Sequence, residues 1–202
     1  MNLYSVLHFL LLLLAVHSQI GPGASEEVTE DHLSALEPLP AAYNGALVDV
    51  VVSKNRAGDK VCTVSDEVEL HSALAMTSCT VVEFEDDISL DATTTPMITS
   101  KMGLTIDGHG HTLSGANAKQ CLYITNSDVV IKHLTFFQCN PDSDGGAIFS
   151  KNSVLSLSHC SFNENGLKGL HFGGAIRADD TDVDLEKCSF KGNKARDGGA
   201  RK

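Results

Sequence analysis

Two short segments of this chain return at a fixed distance. Cys160-Ser161-Phe162-Asn163-Glu164-Asn165 recurs as Cys188-Ser189-Phe190-Lys191-Gly192-Asn193, 28 residues later. The same step carries Gly145-Gly146-Ala147-Ile148 onto Gly173-Gly174-Ala175-Ile176, and Leu155 and Leu157 onto Val183 and Leu185. Apolar and polar residues alternate in short runs, with Gly and Asn between them. Short strands that repeat in this way wind into a coil in which each turn packs on the last.

The alternation extends upstream. Val82-x-Phe84, Leu104-x-Ile106, Val129-x-Ile131, Leu155-x-Leu157 and Val183-x-Leu185 follow one another at steps of 22, 25, 26 and 28 residues. One turn of a parallel β-helix, with three strands and three bends, needs about that much chain. Two-residue hairpins would bring like elements back antiparallel and sooner. A leucine-rich repeat lacks its consensus and its helical half here. The expected fold is therefore all-β: a parallel β-helix of four to five coils.

Superposing the last turns predicts the inward rows. Leu134, Cys160 and Cys188 align, as do Phe136, Phe162 and Phe190. Parallel strands lie about 4.8 Å apart, so identical side chains can stack. Asn165 and Asn193 align at a bend, with Cys139 at the earlier position, and can join amide to amide. The Gly-Gly pairs suit tight bends and close approach between turns. They do not suit a phosphate loop, because no helix pattern or Lys-Ser/Thr follows.

The N-terminus carries an apolar run, Val6 to Val16, ahead of Val16-His17-Ser18. It is short for a membrane span and reads as a signal peptide over residues 1–18. Residues 19–60 form a lead-in, with a strand expected over Leu47–Ser53. A capping helix is expected from Ser65 as N-cap, with Leu70, Ala73 and Leu74 on its buried face. The β-helix then occupies 61–202. Six Cys in a secreted chain allow three disulfides, and Cys62 with Cys79 is the first pair expected because they flank the helix. Cys160 and Cys188 read as a buried thiol stack, with a disulfide between them left open. The net charge of −11 argues against nucleic acid as a partner.

The Gly-Gly-Ala-Ile tetrapeptide, twice, alternating with Phe162-x-x-Asn165 and Phe190-x-x-Asn193, resembles the polymorphic outer membrane protein repeat. The wider stretch from Val81, including Leu104-Thr105-Ile106-Asp107-Gly108, is similar to the pectin-lyase-like right-handed β-helix. The resemblance implies surface display and adhesion, with Phe162, Asn165, Phe190 and Asn193 as binding residues. The chlamydial surface proteins best known for this repeat continue into a long C-terminal barrel, and none is expected from the residues read here. The chain stops at Gly198-Gly199-Ala200-Arg201-Lys202, where a strand is due, which suggests a fragment, a truncated product or end-to-end self-association.

Three further sets of residues are candidates. His133, His159 and Lys187 align in successive turns as a basic ridge beside Lys132 for acidic glycans. Asp180, Asp182 and Asp184 offer outward oxygens for Ca²⁺, with Arg177 just upstream as a binding cation. A solvated strand face accounts for the same aspartates. His109 and His111 read as turn residues, since Gly108-His109-Gly110 lacks the partner motifs of a polygalacturonase. No cofactor is expected unless calcium binds. The leading expectation is a secreted or surface β-helix with an adhesive or glycan-binding role, its partner a cell-surface or matrix glycan or protein. The alternative is a polysaccharide lyase or hydrolase acting on acidic glycans.

Overall fold

The computed structural model describes residues 51–54, 58–91, 94–142, 145–166 and 172–196. The expected signal peptide at 1–18, most of the lead-in and the closing 198–202 lie outside the described residues. Of the strand expected over 47–53, the part before 51 lies outside them too. Strand β1 (Val52–Lys54) pairs antiparallel with β2 (Lys60–Val64), Val52 facing Cys62.

Helix α1 (Glu67–Ala75) follows. Its N-cap is Asp66 rather than the expected Ser65. The Asp66 carboxylate accepts from the Glu69 N–H at 2.8 Å. Glu69 reaches back to accept from the Ser65 N–H at 2.7 Å and the Ser65 hydroxyl at 2.8 Å. A carboxylate at the positive end of the helix outcompetes a hydroxyl one residue earlier. Leu70, Ala73 and Leu74 are buried, as the pattern predicted. The expected Cys62–Cys79 disulfide ties β2 to the segment after the helix, with Cα atoms 5.8 Å apart. Among the described residues no helix is long and apolar enough to cross a membrane.

Four coils follow and a fifth begins. The first contains β3 (Val81–Phe84), β4 (Ile88–Ser89) and β5 (Met97–Thr99). The second contains β6 (Met102–Asp107), β7 (Thr112–Ser114) and β8 (Leu122–Thr125). The third contains β9 (Asp128–Lys132), β10 (Thr135–Phe137) and β11 (Ile148–Lys151). The fourth contains β12 (Val154–Ser158), β13 (Ser161–Asn163) and β14 (Ile176–Asp179). Strands β15 (Asp182–Glu186) and β16 (Ser189–Lys191) open the fifth. Like strands stack into sheet A (β1-β2-β3-β6-β9-β12-β15), sheet B (β4-β7-β10-β13-β16) and sheet C (β5-β8-β11-β14). Every pairing except β1–β2 is parallel. The chain is a parallel β-helix.

Register in the later coils is the expected one: Val129, Leu155 and Val183 face one another, as do Ile131, Leu157 and Leu185. The first coil differs. Val82 faces Ile106, not Leu104. A slip of two residues keeps the same side chains pointing inward, so alternation alone cannot detect it.

One left-handed residue turns the chain at most bends. Between sheets C and A these are Ser100, Asn126, Asn152 and Asp180; between A and B they include His133, His159 and Lys187; between B and C, Asn117, Gln138, Glu164 and Gly192. The glycine pairs divide the work. Gly145 and Gly173 supply φ of 71° and 65°. A Cβ on Gly146 would lie 2.1 Å from the Gly174 carbonyl oxygen of the next coil, which leaves room for no side chain.

The predicted stacks form. Phe136, Phe162 and Phe190 lie with ring centroids 4.8 and 4.9 Å apart and nearly parallel planes. The Asn165 amide donates to Asn193 Oδ1 at 2.9 Å and to the Phe136 carbonyl at 3.1 Å. Its own Oδ1 accepts from the Cys139 N–H at 2.9 Å. One buried amide thus satisfies backbone groups that a bend would strand. A second disulfide, Cys121–Cys139, joins the end of the second coil to the third, with Cα atoms 5.6 Å apart. Cys160, buried, and Cys188, half-buried, are not joined in a disulfide.

Candidate functional site

The inward row packs on itself. Phe162 and Asn165 are fully buried, and Phe190 and Asn193 are half-buried members of the same stacks. In this chain their side chains point into the coil and hold adjacent turns together.

His133, His159 and Lys187 align in one row, as the repeat predicted. His133 and His159 lie one coil apart with ring centroids 5.2 Å apart, and Lys187 takes the next position. Sheet A sets acids beside them. Asp107 accepts from Lys132 Nζ at 2.9 Å and from the His109 N–H at 3.1 Å, and its Oδ1 lies 3.2 Å from His133 Nδ1. Burial would raise the Asp107 carboxyl, but these partners outweigh it and hold the carboxyl below its ordinary value. Lys187 Nζ lies 3.0 Å from Glu186, and that contact lowers the Glu186 carboxyl. Lys132 and Lys187 are each paired with a carboxylate, Asp107 and Glu186, so the ridge is not a bare cationic strip.

Asp180 and Asp182 line an open groove of about 420 Å³ along the bend between sheets C and A, with Asn126, Asn152, Asp128, Met102 and Val154. Asp184 is exposed two residues further along β15. Among the described residues no three His, Cys, Asp or Glu side chains gather as a metal site. Hydroxyls beneath the groove are already engaged: Ser153 Oγ accepts from the Ser127 N–H at 3.1 Å, and Thr181 Oγ1 from the Ser153 N–H at 3.3 Å.

The outer face of sheet C is different in kind. Its register sets Met97, Tyr123, Phe149 and Arg177 in one line across four coils, all pointing outward. Tyr123 and Phe149 stack with centroids 5.0 Å apart and planes 14° from parallel. The Arg177 guanidinium sits 5.7 Å from the Phe149 centroid and 5.3 Å from Phe172, and Arg196 lies 4.9 Å from Phe172. Asp179 fixes the Arg177 fork at 3.0 and 3.1 Å. Lys151 is exposed on the same face. Of the four residues in the line only Arg177 stands out from the sequence. The signal for the others was available: the step that places Ile148 on Ile176 also places Phe149 on Arg177.

Residues 61–163, about half the chain, match the family model of a pectate lyase-like adhesive domain. The chain belongs to that family. Searches of curated proteins and of solved structures returned no match. The pectate lyase-like adhesive domain runs here from β2 to the end of β13. It includes Tyr123 and Phe149 of the outer row, the Asp107 cluster and both disulfides. Arg177, Asp180 and the free end of the groove lie beyond the matched span.

Proposed function

We propose that the protein is a secreted or surface-held adhesive β-helix, without catalytic activity, that grips a cell-surface or matrix glycan on the outer face of sheet C. The observation that carries this reading is the line Met97–Tyr123–Phe149–Arg177. A sheet face turned to water is ordinarily polar. This one spends two stacked rings, a methionine with 54% of its surface exposed and an ordered guanidinium on solvent. Aromatic, Met and Arg side chains are the types enriched where proteins make contacts. A sugar chain alternates C–H patches with hydroxyls along its length. The row offers aromatic edges and cationic donors at the rung spacing of roughly 4.8 Å. Membership of an adhesive family and two disulfides support the same reading, since such bonds persist in oxidising surroundings.

The test is binding of the purified chain to a panel of immobilised glycans. Wild type should retain at least one of them. The triple variant Tyr123→Ala/Phe149→Ala/Arg177→Ala should lose at least tenfold in affinity while keeping its β-sheet circular dichroism. Equal binding by the two proteins sinks the assignment to sheet C. Release of unsaturated or reducing ends from pectate or alginate, with or without Ca²⁺, would replace adhesion by lyase or hydrolase chemistry.

A further inference from the structure

We propose that Cys160 and Cys188 are a third cross-link site, closed to a disulfide by a small-molecule disulfide oxidant such as oxidised glutathione. The two residues occupy the same inward row in adjacent coils. Their flanks are in strict register, Ser158 facing Glu186 and Ser161 facing Ser189. Parallel neighbours are about 4.8 Å apart, inside the usual 4.4–6.8 Å range of Cα separations for a disulfide. The two bonds already formed span 5.8 and 5.6 Å.

The sulfurs are held only weakly where they are. Cys160 Sγ lies 3.5 Å from the Ile131 carbonyl and 3.4 Å from that of Ser158. Cys188 Sγ repeats the pattern one coil on, 3.4 Å from the Leu157 carbonyl and 3.5 Å from that of Glu186. A thiol is a poor donor, so turning one sulfur toward the other forfeits little. The carbonyls released already serve the sheet ladders.

Access and acidity set the order of events. Cys160 is buried, and its thiol is pushed up to about 12 chiefly by that burial. Cys188 is half-buried in the fifth coil and reacts first. Its thiolate attacks one sulfur of oxidised glutathione; the S–S bond of the oxidant breaks, and one glutathione leaves and takes up a proton. Cys160 then gives its proton to solvent base and attacks the Cys188 sulfur, expelling the second glutathione. The two cysteines lose two electrons and two protons; the oxidant gains both and becomes two thiols. The new bond joins the fourth coil to the fifth, where Val183, Leu185 and Phe190 are only partly buried.

The test uses the full chain, purified without reductant and then incubated with oxidised glutathione at mildly alkaline pH. Non-reducing peptide mapping should find Cys160 joined to Cys188, both thiols should vanish from a thiol-reagent titration, and the urea midpoint should rise. The Cys160→Ser variant should stop at a single glutathione adduct on Cys188. If wild type also stops at that adduct, keeps both thiols, or forms the link only after denaturation, the proposal is overturned.

Discussion

Phe136, Phe162 and Phe190 stack inside the coil at 4.8 and 4.9 Å, and Tyr123 and Phe149 stack outside it at 5.0 Å. The spacings agree because both rows inherit them from hydrogen-bonded parallel strands. Their surroundings differ. The inner rings of Phe136 and Phe162 have no solvent contact, whereas Tyr123 and Phe149 keep part of their edges in water beside Arg177. A β-helix therefore makes an ordered row wherever a residue repeats, and burial decides whether that row serves stability or contact. The same repeat that builds the core prints a regular surface.

The largest test of this division is Phe162→Ala, which should cost about 3–5 kcal/mol in urea unfolding because it leaves a cavity between two rings. A loss under about 1 kcal/mol would mean that the inner row does not carry the core. Asn165→Ala comes next, at about 1–3 kcal/mol, since it strands the Cys139 N–H and the Phe136 carbonyl. The outer row should be much less sensitive. Phe149→Ala is expected to cost about 1 kcal/mol of stability while weakening glycan retention. Stability loss equal to that of the inner row would erase the distinction.

Acid titration probes the smallest effect, where an outer group behaves like an inner one. Asp107 faces outward from sheet A yet is 7% exposed, and its carboxyl is held low in the folded state. Its contribution is full above the unfolded value of about 3.9 and is lost as pH falls through the folded value. His71 is lowered chiefly by burial, against the pull of Glu67. The unfolded chain therefore takes up that proton first, and this contribution fades as pH drops below about 6.5. Both act in the same direction: the urea midpoint should decline on acidification in two steps. Asp107→Asn should flatten the lower step only. An unchanged acid limb in that variant would place Asp107 with the ordinary surface.

The inner row was legible because identity repeats there: Phe on Phe, Asn on Asn, and glycine pairs at matching bends. Cys62–Cys79 was legible because a short helix separates its ends. Other features had no such signature. Cys139 stands where later coils have Asn, so its bond to Cys121 breaks the repeat instead of following it. The carboxylate contacts of His133 and Lys187 come from Asp107 and Glu186, which lie in a neighbouring column rather than the same one. The outer row changes residue at each coil, Met, Tyr, Phe and Arg, so no identity marks it; the repeat step pairs Phe149 with Arg177, and the register extends the line to Tyr123 and Met97.

The chain by itself determined a coil of parallel strands, its inward rows and its bend chemistry, because these are local patterns that recur at one step. The same step aligned His133 with His159 and Phe149 with Arg177, but tertiary structure decided the contacts between columns and the full line of the outer row. Those contacts join residues about 26 positions apart through the backbone ladder, and their chemistry varies from coil to coil. Stacking turned unlike side chains into a continuous surface, and the proposed adhesive face is the product of that alignment.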